Sequence, residues 1–398
     1  MAIYVDAPYR VVPSRDGDIV ATHPADYSLV GVFLGEVARH FHSVELLGRT
    51  QRAPEVDHFV PLPPHLRLVA LPDYGDLLQF GRLLKASRGT LSCFWKSLAR
   101  VDTVLVFGPH PFGLVFAILA LARRRRVVLG VRQDTLSYFR ARLPSRRWAP
   151  ALLGVRIIDV ANRLLARRVR TIVAGREIAR RYGGPSGRVL VMADSVVRAG
   201  DVAPGPAQRD WSGTIGLLTV GRIDPEKNPL LLVEVLAELN RLEPGRFLLT
   251  WVGGGPLEGA VRERARKLGV EPFLDLRGWL PFGPDVLALY RAAHAFVHVS
   301  LTEGAPRVLV EALASATPIV ATDVGGVAAA LDDGGAALLV PPRDRDALVT
   351  AIRRLADEAE LHARLVERGL ELARERTLEV QAARVAAFVA GRQGAAPF

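Results

Sequence analysis

Residues 300–326 read SLTEGAPRVLVEALASATPIVATDVGG, and their rhythm decides the class of fold. SLTEG follows the end of a strand as a loop, a helix runs from about Pro306 to Ser315, PIVAT is the next strand and DVGG turns the chain. Proline in the first helical turn gives up only an amide that would be orphaned anyway, and its fixed φ suits a helix start. Glu303 then stands just ahead of the helix and Glu311 inside it. At an interval of eight residues, the two carboxylates face roughly the same way, ~12 Å apart at 1.5 Å rise per residue. Between them the amides around Gly304, Ala305 and Arg307 form a helix N-terminus that favours negative charge. An anion flanked by hydroxyl-bearing groups fits this layout, and a nucleotide-sugar is such a molecule. An isolated pair of acids at this spacing would signify only a capped helix and a solvated glutamate. Here Val308, Leu309, Val310, Ala312, Leu313 and Ala314 make the helix apolar nearly all round, so Glu311 is either a partnered buried charge or faces a cleft.

EGAPRVLVEALASATPIVATDVGG resembles the signature of retaining GT-B glycosyltransferases of the large family 4 type: an acid, a glycine, a proline and a second acid after seven intervening residues. The resemblance implies a fold of two Rossmann-like domains whose parallel sheets face a central cleft. It implies that Glu303 reaches the donor sugar hydroxyls and Glu311 the ribose, with Gly304, Ala305, Pro306, Arg307 and Leu309 completing the donor contacts.

Upstream, TIGLLTVGRIDPEKNPLLLVEVLAEL reads as strand, compact polar loop and helix. Arg222 and Lys227 flank a turn at Asp224-Pro225, and Asn228-Pro229 opens the helix. Two cations on a tight loop beside a helix N-terminus are what a diphosphate needs, although a lone GRxxxxK is by default a solvated turn. The loop is similar to the family's G-R-x-x-x-x-K element, which implies that Arg222 and Lys227 neutralise the departing diphosphate. Gly253, Gly254 and Gly255 precede Pro256 at another helix start; such glycines let backbone approach a ligand or a neighbouring strand. The family carries a similar turn, placing Gly254 at the donor. Trp279 stands at a strand end, placed to stack on a nucleobase or to pack between domains. His294 and His298 lie at or beside a buried strand and read as core or edge residues rather than ligands.

At 398 residues, 49% apolar and 23% charged, the chain is too long for one ordinary core. Strand and helix alternate throughout, so an α/β fold with parallel sheets is the economical reading. A first domain over residues 1–200 would bind the acceptor. A segment rich in Pro, Gly, Asp and Gln over 199–213 marks the boundary. A second domain over 211–375 would bind the nucleotide-sugar. A terminal helix over 376–390 crosses back to the first domain in the resembling family.

One cysteine, Cys93, excludes intramolecular disulfides and a Cys-based metal site, which suits a reducing cytoplasm. MAIYVDAPYR shows no basic segment followed by an apolar run, so no signal peptide is expected. The longest apolar run, near PFGLVFAILALA, has about a dozen residues where a bilayer span needs ~20. The net charge of +11 is uneven: residues 1–200 hold 30 Lys+Arg against 15 Asp+Glu, the remainder 22 against 26. Arginines cluster at 123–126, 146–147, 167–168 and 180–181, which makes an anionic acceptor, an anionic lipid surface or nucleic acid a candidate partner, beside the plain alternative of solvated helix ends. Aromatics do not interleave with the basic runs, which argues against base stacking and nucleic acid. Contact with the membrane, if made, is peripheral and on its inner face.

The resemblance is strong from about 214 to 352 and thins before that. The family's Gly-Gly element in the first βα loop has only Gly17 to answer it, and the family's His after the strand VVLGVRQDT is replaced by Arg132, Gln133 and Asp134. Arg132 is a candidate contact for the leaving diphosphate, Asp134 for an acceptor hydroxyl, and His110 in FGPHP is a further strand-end candidate. No D-x-D pair sits on a strand-end loop; Asp344 and Asp346 lie in a surface turn, so no metal and no cofactor beyond the nucleotide-sugar co-substrate is expected. These readings converge on a hexosyltransferase-type glycosyltransferase. It would retain anomeric configuration and move a sugar from a UDP- or GDP-linked donor to a hydroxyl of a sugar, lipid-linked or small-molecule acceptor in glycan (polysaccharide), glycolipid or secondary-metabolite biosynthesis. The alternative is a degenerate, non-catalytic module that holds a nucleotide-sugar or an anionic polymer. Epimerisation and phosphorolysis, other uses of a two-domain scaffold, are disfavoured by the Glu303 and Glu311 spacing.

Overall fold

The computed structural model describes residues 1–12, 19–22, 28–52, 60–63, 65–75, 80–132, 149–183, 187–193 and 195–392. The chain divides into two compact units, 1–196 with 379–398 and 197–378.

The first unit begins with strand β1 (Ala2–Val12) and β2 (Ile19–Thr22), then a π-helical turn, Ser28–Phe33, that runs into helix α1 (Leu34–Ala38). β3 (Val44–Arg52), β4 (Val60–Pro61) and β5 (Leu66–Leu71) precede the long helix α2 (Phe80–Leu98). β6 (Thr103–Gly108), α3 (Pro111–Ala122), β7 (Arg126–Val131), α4 (Ala149–Ala166), β8 (Arg170–Ala174), α5 (Arg176–Tyr182) and β9 (Val189–Met192) follow. Apolar strands alternating with helices build the parallel sheet β5-β3-β1-β6-β7-β8-β9. One piece departs from the expected rhythm. β6 pairs with β1 only at Ala2–Tyr4, and the edge it leaves is taken at Tyr9–Val12 by β2, antiparallel, with β4 beyond it. Ile19–Thr22, four residues set among turn formers, thus make a short strand that satisfies backbone groups β6 does not reach.

The second unit holds β10 (Ile215–Val220), α6 (Pro229–Leu242), β11 (Phe247–Val252), α7 (Glu258–Lys267), β12 (Leu274–Gly278), α8 (Pro284–Ala292), β13 (Ala295–His298), α9 (Arg307–Ala314), β14 (Ile319–Thr322), α10 (Val327–Ala330), β15 (Leu338–Val340), α11 (Arg345–Asp357) and α12 (Ala359–Glu375). Its six strands are all parallel, in the order β12-β11-β10-β13-β14-β15. Successive strand residues point to opposite faces, so Leu217, Leu249 and Val297 pack under α6, α7 and α11, while Leu218, Phe296 and Ala321 pack under α8 and α9.

The Pro- and Gly-rich segment after Val196 is fastened to this unit rather than left as a tether. Ala203 N donates to Ala314 O at 2.7 Å and the Arg209 guanidinium to Ala316 O at 2.9 Å. Trp211 stacks on His362 at 4.6 Å. The last helix, α13 (Leu378–Ala390), leaves the second unit at Leu378 and packs into the first. There Arg170 and Arg126 donate to the carbonyls of Phe388 (2.7 Å) and Ala390 (3.0 Å), satisfying acceptors that a helix C-terminus cannot pair itself. Among the described residues no helix is long and apolar enough to cross a membrane.

Candidate functional site

Loops leave the C-terminal edge of the second sheet after every strand from β10 to β14, and backbone hydrogen bonds join them. Ile223 N donates to Gly254 O at 3.0 Å, Gly253 N to Gly278 O at 2.7 Å, Leu301 N to Glu226 O at 2.8 Å and Gly326 N to Glu303 O at 3.3 Å. The approach is close enough to demand glycine: a Cβ on Gly253, which has φ +133°, would lie 2.0 Å from Gly221 O, and one on Gly326 would lie 1.9 Å from Gly304 O. The glycine run therefore serves loop-on-loop packing at Gly253. At Gly254 a Cβ would meet nothing nearer than a Glu258 oxygen at 3.9 Å, so packing places no demand on that position.

The loop after β10 ends in a 3-10 turn, Pro225–Lys227, broken by Asn228 in the left-handed conformation (φ 50°), a geometry that asparagine tolerates. This turn carries Lys227 to the carboxylate of Glu303, with which it makes an ion pair. His298, at the end of β13, places Nε2 3.1 Å from the same carboxylate. The Glu303 side chain is only 11% exposed. Burial alone would raise its pKa, but the hydrogen bonds and charges of His298 and Lys227 more than offset that and hold it at about 2. Glu303 is thus an anion at any physiological pH. Arg222 pairs with Asp224 at 2.8 Å and with Glu226, and remains more than half exposed. One cation is committed to the acid across the loops, the other to carboxylates of its own turn.

Glu311 is buried within α9 and accepts a hydrogen bond from the Tyr290 hydroxyl at 3.0 Å. Burial first, then the Glu311 charge and bond, push the Tyr290 hydroxyl far above its usual range, so it stays a donor. Of the two readings the sequence allowed, Glu311 is the partnered buried charge. Gly304, Ala305 and Arg307 are half-buried and Pro306 is buried at the mouth of the same helix. Leu309 is wholly enclosed in the core under α8 and α9, so its side chain supports the helix and does not line a surface. Trp279 follows β12 and is 61% exposed, its ring free to meet a ligand.

The first unit has its own strand-end cluster. The register of β1 against β3 shifts between Tyr4 and Pro8, and the irregularity re-aims Asp6. Asp6 meets Arg49 at 3.0 Å, the Tyr74 hydroxyl at 2.7 Å and His110 Nε2 at 3.3 Å. Hydroxyls of Tyr4 and Tyr74 each lie 3.0 Å from one ring nitrogen of His110. Burial lowers the His110 pKa; Asp6 opposes this and Arg49 adds to it, so the ring is neutral at physiological pH. Arg132 follows β7 directly and is half-buried. Asp134 and Gly17 lie outside the described residues.

Sequence reasoning brought Glu303, Lys227 and Arg222 to one edge, and the structure places them on two hydrogen-bonded loops there. It treated His298 as core; the ring is indeed buried, and it also touches Glu303. The available signal was its place at the end of a buried strand, five residues ahead of the acid. His294 is structural: Gly216 N donates to Nδ1 at 3.0 Å and Nε2 meets Asp210 O at 3.0 Å. The partners of His110 were missed; an aspartate interrupting the apolar strand AIYVDAPY was the hint. Among the described residues no group of three or more His, Cys, Asp and Glu side chains is placed to hold a metal ion. Asp344 caps α11 through Ala347 N at 2.9 Å.

Residues 211–372 match the model of the family described as glycosyl transferases group 1. D-inositol 3-phosphate glycosyltransferase of Nocardia farcinica is 34% identical over 197 residues, 46% of this chain and 42% of that protein; the chain spans under half the length of this curated relative. The structure of WaaG, a glycosyltransferase involved in lipopolysaccharide biosynthesis, superposes with a TM-score of 0.66 at 17% identity, covering 98% of this chain and 99% of the other. HepE of Anabaena, in complex with UDP and glucose, gives a TM-score of 0.66 at 17% identity over 98% and 100%. The chain therefore has the GT-B fold, and its second unit carries a glycosyl transferases group 1 domain.

Proposed function

We propose that the chain is a retaining, metal-independent glycosyltransferase that takes a sugar from a UDP- or GDP-linked donor held at the loop edge of the second unit. The observation that carries this reading is the Lys227–Glu303 ion pair, bridging two strand-end loops with His298 beside it. A buried carboxylate held ionised by a cation suits hydroxyl recognition, because a sugar hydroxyl donates to it more strongly than to a neutral acceptor. When the diphosphate arrives, Lys227 and Arg222 turn toward its oxygens, and the amides at the start of α9 add their dipoles. Glu303 then takes sugar hydroxyls in place of the Lys227 ammonium. Glu311, held by Tyr290, is placed for the ribose, and Trp279 for the base. As the bond from C1 to the diphosphate breaks, the acceptor oxygen bonds to C1 from the same face and its proton leaves with the diphosphate.

The name of the Nocardia relative supports glycosyl transfer, and the UDP and glucose seen with HepE support a donor of this class. The acceptor, a hydroxyl of a sugar, lipid-linked or small molecule, falls to the first unit, where His110 and Asp6 stand at the corresponding strand ends.

Incubation with UDP-, GDP-, ADP- and dTDP-sugars without acceptor tests the reading. One donor should stabilise the fold and slowly release its nucleoside diphosphate. Stabilisation without release supports the second reading, a binding module, which the family's missing Gly-Gly and His keep in play. Neither effect with any donor contradicts both.

A further inference from the structure

Among the described residues, nine of the sixteen exposed large apolar side chains belong to α2, α3 and α4 of the first unit. They form stripes. Leu153, Ile157, Val160 and Leu164 recur on α4 at i, i+4, i+7 and i+11, one face of a helix; Leu84, Leu91 and Trp95 do the same on α2, and Ile118 and Leu121 lie on α3. α3 packs against both α2 and α4. All three follow crossovers that run the same way along the sheet, so right-handed connections put them on one face of it. The stripes are therefore parts of one outer surface, and Arg123 lies 3.4 Å over the Trp95 ring to join α3 to α2.

The charges of this surface are mostly of one sign; Asp102, exposed beyond α2, is paired with Arg125 at 3.4 Å. Arg82, Lys85, Arg88, Arg124, Arg156 and Arg167 are exposed along or just beyond the three helices. Within the helices the sole carboxylate is Asp159, which is buried and held by Arg163, Arg181 and the Tyr182 hydroxyl. A soluble helix face normally mixes both signs. Apolar rows edged mainly with Arg and Lys match an anionic bilayer, where apolar side chains enter the acyl boundary and long cationic ones reach the headgroups. A second copy of the same face would bring cation against cation.

We propose that the outer surface of α2, α3 and α4 is a monotopic docking face for anionic lipid bilayers. It seats the first unit at the membrane without a spanning helix, and it stands apart from the question of glycosyl transfer. Cosedimentation of the full chain with vesicles of phosphatidylglycerol and phosphatidylcholine, against pure phosphatidylcholine, tests it. At low salt the chain should pellet with the anionic vesicles and remain in solution with the neutral ones. Raising salt to 0.5 M should weaken binding at least tenfold. Ile157→Glu with Leu164→Glu, both at exposed positions, should abolish binding while leaving the thermal midpoint in place; Arg156→Glu with Arg167→Glu is the second variant and should do the same through charge. No binding to anionic vesicles overturns the proposal. So does binding untouched by both variants, or a dimer in sedimentation equilibrium that Ile157→Glu dissolves, which would assign the face to a second copy.

Discussion

In the first unit Asp6, Arg49, Tyr4, Tyr74 and His110 gather at the strand ends, and the side chains of Asp6, Arg49 and His110 are no more than 19% exposed. At the strand ends of the second, Lys227 reaches across to Glu303 while Arg222 stays 57% exposed on the same turn. Both clusters stand where parallel α/β sheets place ligand sites. They differ in what neutralises the carboxylate. Asp6 is enclosed by two tyrosines, an arginine and a neutral imidazole, a network that already meets its own demands. Glu303 is held by the buried His298 ring and by one flexible ammonium, and the ammonium can leave for a better anion. The first arrangement fixes a shape; the second is prepared to exchange partners.

Breaking the exchangeable pair should have the largest effect. Lys227→Ala should lower kcat by about 10²- to 10³-fold with a smaller change in KM, because its charge is needed most as the diphosphate departs. Equal turnover in variant and parent would place the departing charge elsewhere.

Next comes the pH dependence of stability. The Glu303 pKa is about 2 in the folded chain against 4.5 ordinarily, so its contribution is complete above the ordinary value and is lost as pH falls from about 4.5 toward 2. The shift corresponds to at most about 3 kcal/mol. Glu303→Gln should flatten the acid limb of the stability curve relative to the parent by up to that amount, read by denaturant titration at a series of pH values. A parallel pair of curves would mean that the Lys227 and His298 contacts do not hold the acid ionised in solution.

A smaller effect separates the closed cluster from the open one. His110→Ala leaves the hydroxyls of Tyr4 and Tyr74 short of a partner and should cost about 1–3 kcal/mol of stability. Donor binding by the second unit should not change, so a loss of nucleotide affinity in this variant would break the comparison. Least affected should be Glu238→Ala on α6, whose partner Arg241 is a solvated neighbour on the same helix. No measurable change in thermal midpoint is expected there.

Much of the second unit was legible because its constraints are local. Pro306 and Pro229 start helices, glycines end strands, and apolar runs of strand length alternate with amphipathic helices. Glu303 and Lys227 could be found because each sits beside such a marker. That they pair with each other depends on β10 and β13 being neighbours, which no local pattern states. The same holds for His298, whose role follows from the path of one loop. In the first unit the cluster is assembled from β1, β3 and the segments after β5 and β6, far apart in sequence, so only His110 stood out. The β2 strand escaped notice because Ile19–Thr22 is four residues among turn formers. Glu311 was recognisable as a buried acid, but its partner Tyr290 lies on α8, outside the motif.

The account rests on an anion-binding edge in the second unit, and calorimetric titration of UDP and GDP into the full chain tests that most directly. It predicts that one of the two binds, and that Lys227→Ala weakens it at least tenfold, about 1.4 kcal/mol. Absence of binding by both nucleotides, or equal affinity in variant and parent, would contradict it.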